Sequence, residues 1–141
     1  MEDLIDTLTR GNATEVKVLL ASVALALAVY QLVLISVGYG KLKPRFLAPA
    51  VASSAHRAVG DTIAVLLVVT ALMCVGYFGF EDGATAHIAA ATALLVVLAT
   101  KVAVLRRFHA AGRFLPLLGT SVFVLLLLTW LTSAGGFLAD A

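Results

Sequence analysis

Charged residues are scarce in this 141-residue sequence: Asp, Glu, Lys and Arg make up only 13% of it, against about a quarter in soluble domains. Such a chain lacks the polar surface of a soluble enzyme, a disordered segment or a nucleic-acid-binding domain, so these classes are excluded. A single cysteine, Cys74, excludes an intrachain disulfide and a cysteine-based metal cluster. Apolar residues instead make up 62% of the chain, with a mean hydropathy of +1.06. The composition therefore indicates an integral membrane protein.

The apolar residues fall into four stretches, each long enough for a membrane-spanning helix, which needs about 20 residues. We place these spans at residues 18–39, 56–80, 84–105 and 114–137. Residues 1–17 form an acidic leader, for which the sequence predicts a short interfacial helix starting near Asp6 or Thr7. Short connections such as Glu81–Gly83 favour antiparallel packing of neighbouring helices. The predicted fold is all-α: a single-domain transmembrane four-helix bundle with up-down-up-down topology.

The charged residues divide between the two ends of this predicted bundle. Eight of the ten Lys and Arg residues lie in or beside the loops that join spans one to two and three to four: Lys41, Lys43, Arg45, Arg57, Lys101, Arg106, Arg107 and Arg113. Seven of the eight acids lie at the opposite end: Glu2, Asp3, Asp6, Glu15, Glu81, Asp82 and Asp140. Because cationic loops stay on the cytoplasmic side, we expect a multi-pass protein of the plasma (inner) membrane with both termini outside.

Few ionisable side chains fall within the spans, and each is a candidate functional residue because charge is costly inside a membrane. Lys101 lies one turn from the cytoplasmic end, so its amine either reaches the lipid headgroups or binds an anionic group such as a cofactor carboxylate. Asp61 follows Arg57 by four residues, which favours an ion pair on one helix face, with a proton relay as the alternative. Gln31, in the middle of span one, is expected to hydrogen-bond a neighbouring helix.

Three histidines and one methionine are candidate haem ligands, because imidazole and thioether groups bind haem iron axially. His56 opens span two at the inner side and His87 opens span three at the outer side, so the two cannot share one iron. Met73 follows His56 by 17 residues, about 25 Å along a helix, and therefore lies at the depth of His87. On the inner side, His56 and His109 lie at a similar depth, so they form the other candidate ligand pair. For each residue the alternative is a structural role, as a polar helix-end histidine or a packed methionine.

Several short sequence motifs, by their order and spacing, resemble those of a family of four-helix bacterial membrane proteins, mainly actinobacterial. These motifs are HRAVG in span two, the histidine and lysine of span three, and LPLLG with WLTS in span four. The family itself is similar to the membrane part of cytochrome b561 and its relatives. The resemblance covers about residues 16–138 and implies b-type haem, with family histidines at the positions of His56 and His87.

One position departs from that family. A further family histidine near the end of span two is matched here by Met73, so the resemblance implies either a thioether ligand, which raises the reduction potential, or a lost ligand. Lys101 matches a family lysine and Gln31 a family glutamine, whereas His109 has no counterpart.

The sequence favours a small b-type cytochrome-like protein that transfers electrons within or across the membrane, whether or not it is an enzyme by itself. The residues assigned to the cofactor are His56, His87 and Met73 as ligands, Lys101 and Arg57 as propionate partners, and His109 as a weaker ligand. Quinol or a redox protein is the expected partner in the lipid bilayer, in a homo-oligomer or a larger complex. The main alternative is a cofactor-free structural or assembly subunit that anchors a larger respiratory complex. A solute carrier or channel is a third hypothesis, which is less favoured because few polar residues lie at mid-membrane to form a pathway.

Overall fold

The computed structural model describes residues 1–80 and 84–140, and the regular elements in these ranges are helical. The α-helices are α1 (Glu2–Thr9), α2 (Ala13–Gly38), α3 (Pro49–Met73), α4 (Thr85–Arg106), α5 (Leu115–Trp130) and α6 (Gly136–Ala139). Two π-helical turns, which are wider than an α-helix, adjoin them at Cys74–Phe78 and Leu131–Gly135. A 3-10 turn, which is tighter, adjoins them at His109–Phe114. Together they make four continuous helices long and apolar enough to cross a membrane: Ala13–Gly38, Pro49–Phe78, Thr85–Arg106 and His109–Ala139.

The all-helical class and the four long apolar helices predicted from the sequence are confirmed. Three of the four helices begin before the predicted apolar stretch. The first begins at Ala13 rather than at residue 18, the second at Pro49 rather than at residue 56, and the fourth at His109 rather than at residue 114. Proline suits the first turn of a helix, because its fixed φ is helical and its missing N–H has no partner to lose there. The predicted connection Glu81–Gly83 lies outside the described residues.

The prediction for the start of the leader helix was wrong, because α1 begins at Glu2 and not near Asp6 or Thr7. Glu2 and Asp3 occupy its first turn, where negative charge stabilises the positive end of the helix dipole. The helix ends because Arg10 and Gly11 both adopt positive φ, 54° and 79°. This sharp turn brings α1 back onto the start of α2 and the end of α3, where Ile5 is buried.

A single apolar cluster joins the four long helices at mid-length. Each helix contributes two buried residues spaced four apart, which places them on one face: Ala24, Ala28, Ile63, Leu67, Leu94, Leu98, Val122 and Leu126. Helix α2 packs against α3 and α5, and α5 also packs against α4. Many of the other large apolar side chains on these helices are exposed, as expected of helices whose outer faces contact lipid.

Candidate functional site

Two groups of polar side chains lie within the four long helices, one near each end of α4. The first, which we call the His87 cluster, consists of His87, Thr129, Thr132 and Lys17. The second, the His56 cluster, consists of His56, Gln31 and Lys101. His87 and Lys101 are separated by fourteen residues of α4, about 21 Å along a helix. The two histidines therefore belong to separate sites.

The imidazole of His87 is held by two oxygen atoms of the fourth long helix. Its Nδ1 lies 3.2 Å from the carbonyl oxygen of Thr129 and 3.2 Å from Oγ1 of Thr132. A carbonyl oxygen only accepts hydrogen bonds, so Nδ1 carries the proton and donates it. The Thr132 hydroxyl in turn donates to the carbonyl of Leu128, at 2.9 Å, or of Thr129, at 3.1 Å, which leaves its lone pairs free to accept. A neutral His87 consequently keeps an unprotonated Nε2, the state in which imidazole binds a metal.

The position of Thr132 depends on an irregular turn that the sequence analysis did not predict. Thr132 lies in the π-helical turn Leu131–Gly135, which packs against α2 and α4. Such turns are rare and are often found at functional sites. The residue before this turn, Trp130, donates from Nε1 to Oγ of Ser22 at 3.0 Å. This bond joins the fourth long helix to the first beside the His87 cluster.

Lys17 is a residue of the site that the sequence analysis missed. It is half-buried near the start of α2, and its Nζ lies 4.1 Å from the centroid of the Phe78 ring. Lys17 also lies near His87 and Cys74. The signal available in the sequence was a cation directly before the apolar stretch that begins at residue 18, since an ionisable residue at such a segment is a functional candidate.

Met73 lies at the same end of the bundle as the His87 cluster but has different neighbours. It is buried in an apolar group with Ile5 and Ala13, against which the ring of Phe78 packs. Phe78 also contacts Lys17, so the methionine and the His87 cluster adjoin the same aromatic side chain. The structure thus brings Met73 and His87 to one end of the bundle, with the thioether packed among apolar groups and the imidazole bound to threonine oxygens.

The His56 cluster holds a hydrogen bond between two helices and two buried atoms without partners. Nε2 of Gln31 donates to the backbone carbonyl of His56 at 2.8 Å, which confirms the predicted contact with a neighbouring helix. Oε1 of Gln31 and Nδ1 of His56 are buried and have no hydrogen-bond partner among the described residues. Lys101 lies near His56. Unlike His87, His56 therefore has no contact at Nδ1 that fixes its ring and its tautomer.

The remaining sequence candidates are exposed. Arg57 and Asp61 both have exposed side chains on α3, and His109 is exposed in the turn before α5. Within residues 1–80 and 84–140, no group of three or more His, Cys, Asp or Glu side chains is arranged to hold a metal ion. Axial ligation of haem iron needs only one or two such side chains, and His87 is the best oriented of those present.

Comparison with known proteins gives one match. Neither the curated proteins nor the solved structures contain a match to the chain. A protein family of unknown function, DUF6529, matches residues 4–141. This range includes both the His87 cluster and the His56 cluster. Because the match covers almost the whole length, the chain belongs to the family of unknown function DUF6529.

Proposed function

We propose that this protein is a small integral membrane b-type cytochrome that transfers electrons within or across the membrane. The observation that carries the proposal is the orientation of His87. Its Nδ1 donates to the carbonyl of Thr129, so Nε2 is free to bind iron. Histidines that bind metals usually donate their other ring N–H to a carbonyl or carboxylate in this way, because the bond fixes the ring and raises its basicity.

When bound, the haem would supply one-electron redox chemistry, while the chain supplies ligands, orientation and an apolar environment. His87 is the first proposed ligand. Met73 is the proposed second ligand at the same end, on the basis of its depth and its burial beside Phe78. Lys17, whose Nζ lies over the ring of Phe78 at this end of the bundle, is the proposed cation that balances a propionate. His56, with Lys101 and Arg57 as cationic partners, is the proposed ligand of a second site at the other end.

We further propose an up-down-up-down arrangement in the plasma membrane, with both termini outside. Contacts between distant residues support antiparallel neighbours: Ser22, early in α2, bonds Trp130, at the end of α5, and Gln31, late in α2, bonds His56, early in α3. The clustering of Lys and Arg in the loops at one end supports the orientation, since cationic loops are retained in the cytoplasm. Quinol or a redox protein is the proposed electron donor or acceptor.

An absorption spectrum of the purified protein, expressed with added haem precursor, tests the haem proposal. We expect a Soret band and a reduced α-band that are lost or strongly weakened in His87→Ala. His109→Ala is the matched control, because this exposed histidine lies outside both clusters and its loss should leave the spectrum unchanged. His56→Ala tests the second site separately. A colourless protein under these conditions would refute the proposal.

A cofactor-free structural or assembly subunit is the second candidate function, and one observation favours it. Met73 is packed against Ile5 and Ala13, which is how an ordinary core methionine behaves. This candidate expects a colourless protein that co-purifies with the subunits of a larger membrane complex. The spectrum and the co-purification experiment together separate the two functions.

The orientation is tested with single cysteines in a Cys74→Ala background. Lys43→Cys, in the loop between α2 and α3, should react with a membrane-impermeant thiol reagent only after the cells are opened. Glu2→Cys, in α1, should react in intact spheroplasts. The reverse pattern would overturn the proposed orientation and leave the haem proposal untouched.

A further inference from the structure

The loop between α2 and α3 forms an apolar groove with the outer face of α2. We call this the loop groove; its volume is about 570 Å³, and its walls are Tyr30, Val33, Val37, Leu42, Lys43, Pro44, Phe46 and Leu47. A smaller cavity of about 340 Å³ adjoins it, sharing Lys43 and adding Arg45 to the lining. Small-molecule sites typically measure about 300–1,000 Å³, so the loop groove is large enough for a ligand.

The loop groove runs from the basic loop along α2 toward the middle of the helix. Tyr30 and Val37 are seven residues apart, which is about 10 Å along a helix. One half of a hydrocarbon core of about 30 Å measures about 15 Å. The groove therefore lies within a single leaflet, with one end at the level of the headgroups and the other among the acyl chains.

The charge around the loop groove is of one sign. Lys43 lines both cavities, Arg45 lines the smaller one, and Lys41 lies in the same loop. Residues 16–60 contain no Asp or Glu, so no carboxylate from this stretch offsets these cations. A ligand that fits must therefore combine a long apolar part with a negative group at one end.

Apolar side chains beside these cations indicate that the loop itself contacts the membrane. The side chain of Phe46 is 90% exposed and that of Leu42 is 50% exposed. Apolar groups next to basic residues are the pattern of segments that lie in the interface of an anionic leaflet. The mouth of the loop groove consequently opens where phospholipid headgroups are found.

We propose that the loop groove binds one anionic phospholipid, with an acyl chain along Tyr30 and Val33 and the phosphate at Lys43 and Arg45. The proposal is independent of haem binding, because none of the residues that line the loop groove belongs to the His87 cluster or the His56 cluster. A neutral isoprenoid such as a quinone is the competing occupant, and its binding would not depend on the cations.

Native mass spectrometry of the detergent-purified protein, titrated with phosphatidylglycerol or phosphatidylcholine, tests this proposal. We expect preferential retention of phosphatidylglycerol. A basic residue near an anionic lipid surface contributes enough that removing one charge should weaken binding about fivefold, so Lys43→Gln should show that loss and Lys43→Arg should not. Val33→Trp, which fills the groove without changing charge, should reduce the retention of both lipids.

Arg107→Gln is the matched control, because it removes one exposed cation from the other basic loop, away from the groove. It should retain phosphatidylglycerol as the unsubstituted protein does. An equal loss in Lys43→Gln and Arg107→Gln would mean that only overall charge matters and would overturn the proposal. Equal retention of the two lipids, or of a neutral quinone in preference to either, would overturn it as well.

Discussion

Replacing Thr132 with valine removes one of the two groups that hold the His87 ring and nearly preserves the shape of the side chain. Oγ1 of Thr132 and the carbonyl oxygen of Thr129 each lie 3.2 Å from Nδ1 of His87. In the variant the carbonyl remains, so the tautomer is retained but the ring is less firmly oriented. Loss of a partner that orients a metal-binding histidine typically costs about 10–100-fold in affinity. Because one of the two acceptors is kept, we expect the lower end, about a tenfold weaker affinity for haem.

Thr129→Val is the matched control for this prediction. The Thr129 hydroxyl donates to the carbonyl of Leu125 at 2.7 Å, and His87 contacts only the backbone carbonyl of Thr129. The same chemical change three residues away therefore leaves both acceptors of Nδ1 in place. Haem affinity should match that of the unsubstituted protein.

The affinities are measured by titrating haem into the haem-free protein in detergent and following the Soret absorbance. Equal affinities for the unsubstituted protein and both valine variants would refute the inference that Thr132 orients His87. Equal losses in both variants would point to a general effect on the fourth long helix and would refute it too. A protein that binds no haem at all would refute the proposed function itself.

Three further predictions concern the same end of the bundle. Met73→Leu keeps the side-chain volume and should cost less than about 1.5 kcal/mol of stability. Because the thioether ligand is lost, we expect a redox titration to give a lower reduction potential for the haem. An unchanged potential would mean that Met73 is only a packing residue. In a double-mutant cycle, the effects of Trp130→Phe and Ser22→Ala on the free energy of unfolding should be coupled by about 0.6 kcal/mol, the average for hydrogen bonds between membrane helices. The measurement is unfolding in mixed detergent. Zero coupling would contradict the hydrogen bond at 3.0 Å. Ile5→Ala should detach α1 and speed its proteolysis, since truncating a buried isoleucine costs about 2–5 kcal/mol, whereas Leu4→Ala, at a side chain that is 62% exposed, should not.

The sequence predicted the long helices because their apolar stretches are long and nearly free of charge. It placed their starts less well, and Ala13–Gly38 explains why. A helix needs satisfied backbone hydrogen bonds rather than apolar side chains, so α2 begins before the apolar stretch and includes Glu15 and Lys17. For the same reason Lys17 was counted with the leader, although it reaches Phe78 and the His87 cluster.

The candidate site was predictable in its residue types and not in its contacts. His87 and Met73 were chosen because they are potential iron ligands at similar depth, and they do lie at the same end. The bond of Gln31 to another helix was also foreseen. The contacts of His87 join residues more than forty positions apart, so they depend on how α4 and the fourth long helix are aligned. A short-range sequence pattern does not determine how these two helices are aligned.

The sequence by itself determined that the chain forms four long apolar helices, because hydropathy acts locally along the chain. The tertiary structure decided which nitrogen of His87 is free, because that depends on two oxygen atoms supplied by the π-helical turn and its neighbour Thr129. It also decided that Met73 packs against α1, and that Lys43 borders an apolar groove. Each of these depends on packing between segments that are distant in sequence.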